Sequence, residues 1–79
     1  MEHLLDARDL PPPEPLQRVL DLLPELGPGD VLRMLHQREP FPLYRILDDS
    51  GFRHAVRESP EAPYEILIWR ADGPPPKMP

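Results

Sequence analysis

The residues best suited to chemistry are a histidine and a carboxylate that lie close together. His36 and Glu39 are three positions apart, so they could share a metal ion with His3 or His54, or move a proton at a substrate. A metal needs three or four ligands in a defined geometry, and no partnered nucleophile is evident near His36. The alternative is a hydrogen-bonded structural histidine at a strand end. We therefore predict no metal, no cofactor and no catalytic residue, and keep both side chains as candidate binding residues.

The chain contains no cysteine. This absence excludes disulfides, thiolate metal sites, persulfide chemistry and cysteine nucleophiles. Asparagine and threonine are also missing, and the only serines are Ser50 and Ser59. Because so few hydroxyl and amide groups remain, the composition favours a binding protein over an enzyme.

Arginines and aromatic residues provide further binding candidates. Arg8, together with Arg38 and Arg45, could form a cluster that recognises a carboxylate or phosphate. The alternative, which we favour, is that these are solvated arginines paired with nearby acidic side chains. In the segment Tyr64–Arg70, alternation places Leu67 and Trp69 on one face of a strand. If the helices cover the other face, these two residues form an exposed apolar patch suited to a protein partner.

Charge and hydropathy limit the classes of partner. The net charge is −5, whereas nucleic-acid binders usually present a basic field. No apolar stretch approaches the roughly 20 residues that span a bilayer, and the N-terminus does not have the pattern of a signal peptide. We expect a cytoplasmic protein that binds neither nucleic acid nor membrane.

The sequence pattern predicts six elements in the order strand, helix, strand, helix, strand, strand. Apolar residues at i, i+3, i+4 and i+7 (Leu16, Val19, Leu20 and Leu23) predict a helix that starts near Pro13 or Glu14, since proline suits a first turn. The second helix is predicted at about residues 42–50, and strands are predicted at 3–7, 30–36, 52–58 and 64–70. Right-handed crossovers place both helices on one face of a single sheet. The prediction is an α/β two-layer sandwich over residues 1–70, followed by a disordered proline-rich tail at 71–79.

Two proline motifs carry a family resemblance. The run from Leu5 to Pro15, ending in Leu-Pro-Pro-Pro-Glu-Pro, resembles the opening motif of the TusA/SirA family of bacterial sulfur carriers. That motif continues from a strand through a Gly-Leu pair into Cys-Pro-x-Pro at the first helix. Gly29-Asp30-Val31-Leu32 resembles the start of the family's second strand. The resemblance covers residues 4–70 and implies a mixed four-stranded sheet, with the last strand antiparallel and inserted between the second and third.

One departure from that motif changes the expected function. Pro12 stands where the sulfur-carrying cysteine would be, so persulfide transfer does not carry over. The segment from His36 to Leu43, His-x-x-Glu-Pro-x-Pro-Leu, resembles a cysteine-less bacterial branch of the group, a domain of unknown function. Members of that branch occur fused to or encoded beside hemerythrin-like domains, which implies a redox or nitrogen-oxide setting.

These observations lead to two hypotheses of function. The first is a non-catalytic protein-interaction or adaptor module, monomeric or weakly dimeric, that binds a protein partner. The second is a small-ligand or metal-binding accessory protein that uses His36, Glu39 and Arg8. The candidate binding residues are Arg8, Pro12, Pro13, Glu14, His36, Glu39, Leu67 and Trp69.

Overall fold

A computed structural model describes residues 1–77. Four strands and two helices follow one another as β1 (Glu2–Asp6), α1 (Glu14–Leu22), β2 (Val31–His36), α2 (Phe41–Asp49), β3 (Phe52–Arg57) and β4 (Tyr64–Arg70). A short 3₁₀ turn, Leu23–Glu25, follows α1. The predicted element order is therefore confirmed, and each boundary lies within a residue or two of its predicted position.

The strands form one mixed sheet in the order β1-β2-β4-β3. β1 and β2 are parallel, whereas β4 is antiparallel to both β2 and β3. The last strand thus lies between the second and third, as expected. Because β1 and β2 are parallel and each leads into a helix, their carboxyl ends and both helix N-termini lie at the same edge of the sheet.

Both helices pack on one face of this sheet, which confirms the two-layer sandwich. The core between the layers includes Leu32 and Met34 from β2 and Ile66 and Ile68 from β4, all fully buried. From the helices it takes Val19, Leu23, Leu43 and Leu47. The strand parity predicted for Ile66 and Ile68 is therefore correct.

The predicted apolar stripe of α1 is wrong at one position. Pro15, Val19 and Leu23 are buried, but Leu20 is exposed. Positions four apart stay near one line of a helix, whereas Leu20 is turned by about 100° from Val19. The buried residues are therefore those spaced four positions apart, and Leu20 does not lie on the same side of the helix.

The helix-free face of the sheet is not the open apolar patch predicted from Leu67 and Trp69. Leu67 does lie on this face, yet it is only 3% exposed, and Trp69 is half-buried. Leu67 is opposite Arg33 in the register. Arg33 bonds to Glu65 on one neighbouring strand and to Glu2 on the other, so a network of charged side chains lies on this face beside Leu67. The exposed-patch prediction is wrong because Leu67 is buried and Trp69 is half-buried.

After β4, residues 71–77 form neither helix nor strand. A Cβ added at Gly73 would lie 3.2 Å from the Pro28 Cβ, and Pro76 is buried. For residues 78 and 79, the predicted disorder lies outside the described residues. Among residues 1–77, no helix has the length and apolar character needed to cross a membrane.

Candidate functional site

Two clefts adjoin at the carboxyl ends of β1 and β2. The first, called here the apolar cleft, has a volume of about 280 Å³. The second, called the basic cleft, has a volume of about 260 Å³. Pro12 and His36 line both of them. In open α/β sheets, ligands usually bind at the carboxyl ends of the strands, so these clefts are the candidate site.

The apolar cleft is built where the two helices begin. Prolines cluster there because they fit the first helical turn, where no N–H is required. The cleft is lined by Pro12, Pro13, Pro15, Leu16, His36, Pro42 and Leu43. Proline rings have fixed backbone φ angles, so this wall loses little conformational entropy when a ligand binds.

The basic cleft is lined by two arginines and a glutamine in addition to apolar residues. It is lined by Arg8, Leu10, Pro12, His36, Gln37 and Arg38. No carboxylate is among these lining residues, although the whole chain is acidic. The cleft is therefore the better place for a negatively charged group.

Arg8 forms a rigid wall of the basic cleft. Its Nε and Nη2 donate to the two Asp6 oxygens at 2.8 and 2.7 Å, and its Nη1 donates to the Glu61 carbonyl at 2.7 Å. Hydrogen bonding by Arg8 lowers the pKa of Asp6 from 3.8 to about 2. With its guanidinium already paired, Arg8 shapes the cleft by joining the end of β1 to the loop before β4.

The side chain of Arg38 is not held by hydrogen bonds as that of Arg8 is. Its backbone N–H donates to His36 Nδ1 at 3.2 Å, but among residues 1–77 its guanidinium has no hydrogen bond or ion pair. An exposed guanidinium beside a concave surface can bind a carboxylate through two parallel hydrogen bonds. It is the cation in this cleft that is available to a ligand.

His36 lies between the two clefts and is half-buried. Burial and then the Arg38 charge lower the pKa of His36 below its usual value, which favours the neutral imidazole. Because Nδ1 accepts the Arg38 N–H, the ring proton of the neutral form is on Nε2. His36 therefore combines an apolar ring with a single N–H donor.

Four of the candidate residues are brought together here and four are not. Arg8, Pro12, Pro13 and His36 line the clefts. Glu14 is paired instead with Arg18, with Nη2 and Oε1 3.1 Å apart. Leu67 and Trp69 belong to the helix-free face, and Glu39 has a separate role.

Glu39 belongs to an aromatic cluster. Its Oε2 accepts the Tyr44 hydroxyl at 3.1 Å, and the Tyr44 ring stacks on His54 with centroids 4.2 Å apart. Burial and this hydrogen bond raise the pKa of Tyr44 above its usual range. Glu39 lines neither cleft, so His36 and Glu39 do not form a joint site. Among residues 1–77, no three histidine or acidic side chains are grouped to hold a metal.

Sequence reasoning missed several lining residues. Leu16 and Pro42 in the apolar cleft and Gln37 in the basic cleft were not candidates. Arg38 was considered only within an arginine cluster with Arg45, which lines neither cleft. These residues could have been predicted from their positions, since each lies in the segment that follows β1 or β2.

Fold and site together define a small α+β domain with paired clefts at one sheet edge. Residues 4–70 match the model of a family described as "Uncharacterized conserved protein (DUF2249)". The chain belongs to this family. No curated protein and no solved structure gave a significant match.

Proposed function

We propose that this protein is a non-catalytic binding module that recognises a partner protein through the two clefts around His36. The observation that carries the proposal is the convergence of Pro12 and His36, 24 positions apart in the chain, into the shared wall of two clefts of different chemistry. This convergence occurs at the sheet edge where α/β folds usually bind ligands.

The size and character of the clefts support a protein partner. Volumes of about 280 and 260 Å³ lie just below the roughly 300–1,000 Å³ of small-molecule sites. A protein partner needs less enclosure, because a few side-chain anchors in shallow pockets carry most of its binding energy. The rigid proline wall suits such anchors.

A distant relationship to the TusA/SirA sulfur carriers belongs to the same proposal. The sheet order β1-β2-β4-β3 supports it, since that family resemblance led us to expect this order. Pro12, in the position of the sulfur-carrying cysteine, lines both clefts. We infer that this branch of the group binds its partner at the same site but has lost sulfur transfer.

The alternative of a metal or small ligand held by His36, Glu39 and Arg8 is supported only in part, since Arg8 and His36 both line the basic cleft. Glu39 is bonded to Tyr44 and lines neither cleft. We favour the protein-binding hypothesis because of the size of the clefts and because Glu39 is not among their lining residues.

Photo-crosslinking in the native host tests the proposal. A photoreactive phenylalanine analogue at Gln37, an exposed residue of the basic cleft, is expected to trap one defined partner. The same group at Arg53, on the far edge strand and the opposite face, is the matched control. The expected crosslink at position 37 also disappears when Leu16→Lys places a charge in the apolar cleft, with circular dichroism verifying the fold. Equal trapping at both positions, or none at position 37, contradicts the proposal.

A further inference from the structure

The two clefts differ in chemistry but share a wall. In the apolar cleft, His36 is the only titratable residue, and the rest are prolines and leucines. In the basic cleft, Arg8, Gln37 and Arg38 supply polar donors. A ligand that occupies both must therefore carry an apolar group close to a polar one.

An anion is unsuited to the apolar cleft, although two helices begin there. Helix N-termini bind anions through free N–H groups, and prolines have none. At the start of α2, the N–H groups of Phe41 and Leu43 already donate to Glu39 and Pro40 carbonyls at 3.0 Å. An apolar occupant avoids the cost of desolvating a charge that would find few donors. An aromatic side chain gives the largest buried area for the least conformational entropy.

The basic cleft is complementary to a carboxylate. Arg38 offers a guanidinium that is unpaired among residues 1–77, and no lining residue is acidic. His36 adds the Nε2–H of a neutral imidazole, because its Nδ1 is occupied by the Arg38 N–H. Arg8 is held by Asp6 and Glu61, so it contributes shape more than free donors.

The wall shared by the two clefts requires the two ligand groups to lie close together. In an extended peptide, each residue advances the chain by about 3.3 Å, and residues i and i+2 project to the same side. Side chains two positions apart can therefore enter adjoining clefts. Resting on the proposed function, we infer that the partner presents a segment with an aromatic side chain and a carboxylate two positions apart.

Peptide titration of the full ¹⁵N-labelled chain, followed by NMR, tests this inference. The probe is acetyl-Gly-Phe-Gly-Glu-Gly-amide, whose blocked ends leave Glu as its only charge. Saturable shifts are expected at the amides of Leu16, His36 and Arg38. Replacing the peptide Phe by Ala should abolish them, and replacing Glu by Gln should weaken binding by at least about fivefold, the loss of one partly exposed charge-assisted contact.

A pair of charge-matched variants localises the effect. Arg38→Gln should reduce the affinity for the Glu peptide to that for the Gln peptide, whereas Arg53→Gln should leave it unchanged. Arg53 is also exposed but lies on the far edge strand. Equal affinity for the Glu and Gln peptides overturns the inference, as does an equal loss in both variants.

Further outcomes separate this inference from the proposed function. If crosslinking at position 37 traps a partner but the peptides show no preference for Phe and Glu, the binding module stands and the partner chemistry is wrong. Free 3-phenylpropanoate carries the same two groups in a small molecule. If it gives the shifts at His36 and Arg38 while the peptides give none and crosslinking at position 37 traps no protein, both proposals fail in favour of a small carboxylate ligand.

Discussion

At the scale of single residues, Glu65 organises the helix-free face of the sheet. It is only 2% exposed, and its Oε1 accepts from Arg33 Nε and from Arg57 Nη2, each at 2.9 Å. Burial alone would raise the pKa of Glu65, but the hydrogen bonds from Arg33 and Arg57 outweigh burial, so the pKa lies below its usual value. A buried carboxylate with two cationic partners stabilises the fold only while the carboxylate is charged.

Glu65→Gln is therefore expected to destabilise the protein by about 2 kcal/mol, because it removes the charge while keeping the shape. The free energy of unfolding from urea titration measures this loss. Glu58→Gln is the control, since Glu58 is exposed in the loop between β3 and β4 and should change stability by no more than about 0.5 kcal/mol. A loss in Glu65→Gln no larger than in the control would show that the ion pairs contribute nothing.

At the scale of elements, the ends of α2 depend on residues with special backbone properties. Proline occupies the first turn, at Pro42, and Gly51 follows the last. Gly51 has φ of +84°, a left-handed conformation that a side chain makes costly. Its carbonyl also accepts the Ala71 N–H at 2.9 Å, which ties the end of α2 to the end of β4.

Gly51→Ala should cost about 1 kcal/mol through backbone strain, because a Cβ there would meet no atom within 4 Å. The expected result is a lower urea midpoint with an unchanged slope. Gly27→Ala is the matched control. Gly27 does not have positive φ, and its added Cβ would lie at an ordinary 3.5 Å from Asp30 Oδ2. If both variants lose the same stability, strain at Gly51 is not the cause.

At the scale of the whole molecule, salt bridges that involve carboxylates make the stability of the fold depend on pH. The folded-state pKa of Asp6 is lowered from 3.8 to about 2, and that of Glu65 is also lowered. A carboxyl group whose pKa is lower in the folded state stabilises the fold above its unfolded-state pKa. That contribution is lost as pH falls through the folded-state value.

The unfolding temperature should therefore fall steeply between pH about 4.5 and pH about 2. Scanning calorimetry across this range measures the fall. Asp6→Asn should unfold at a lower temperature than the native chain at pH 6, and the difference should shrink as pH falls through about 2, the folded-state pKa at which half of the Asp6 carboxyl groups are protonated. A difference that stays constant with pH would mean that the Asp6–Arg8 pair is not its source.

Much of the fold could be predicted because local rules fix it. Alternation in β4 placed Ile66 and Ile68 in the core, and the proline and glycine positions marked where the helices begin and end. The burial predicted for Leu20 and the exposure predicted for Leu67 were wrong because burial depends on what packs against a residue. For Leu67, that neighbour is Arg33 from another strand, 34 positions earlier in the chain.

The sequence by itself determined the element order, the absence of cysteine chemistry and the chemical types near the carboxyl ends of β1 and β2. Only the tertiary structure decided which of those residues meet. His36 and Glu39 are close in sequence, yet Glu39 bonds to Tyr44, whereas Pro12 and His36 become the common wall of two clefts. The physical reason is that parallel pairing of β1 with β2 brings the chain that follows each strand to the same edge. Short-range spacing does not specify that long-range arrangement.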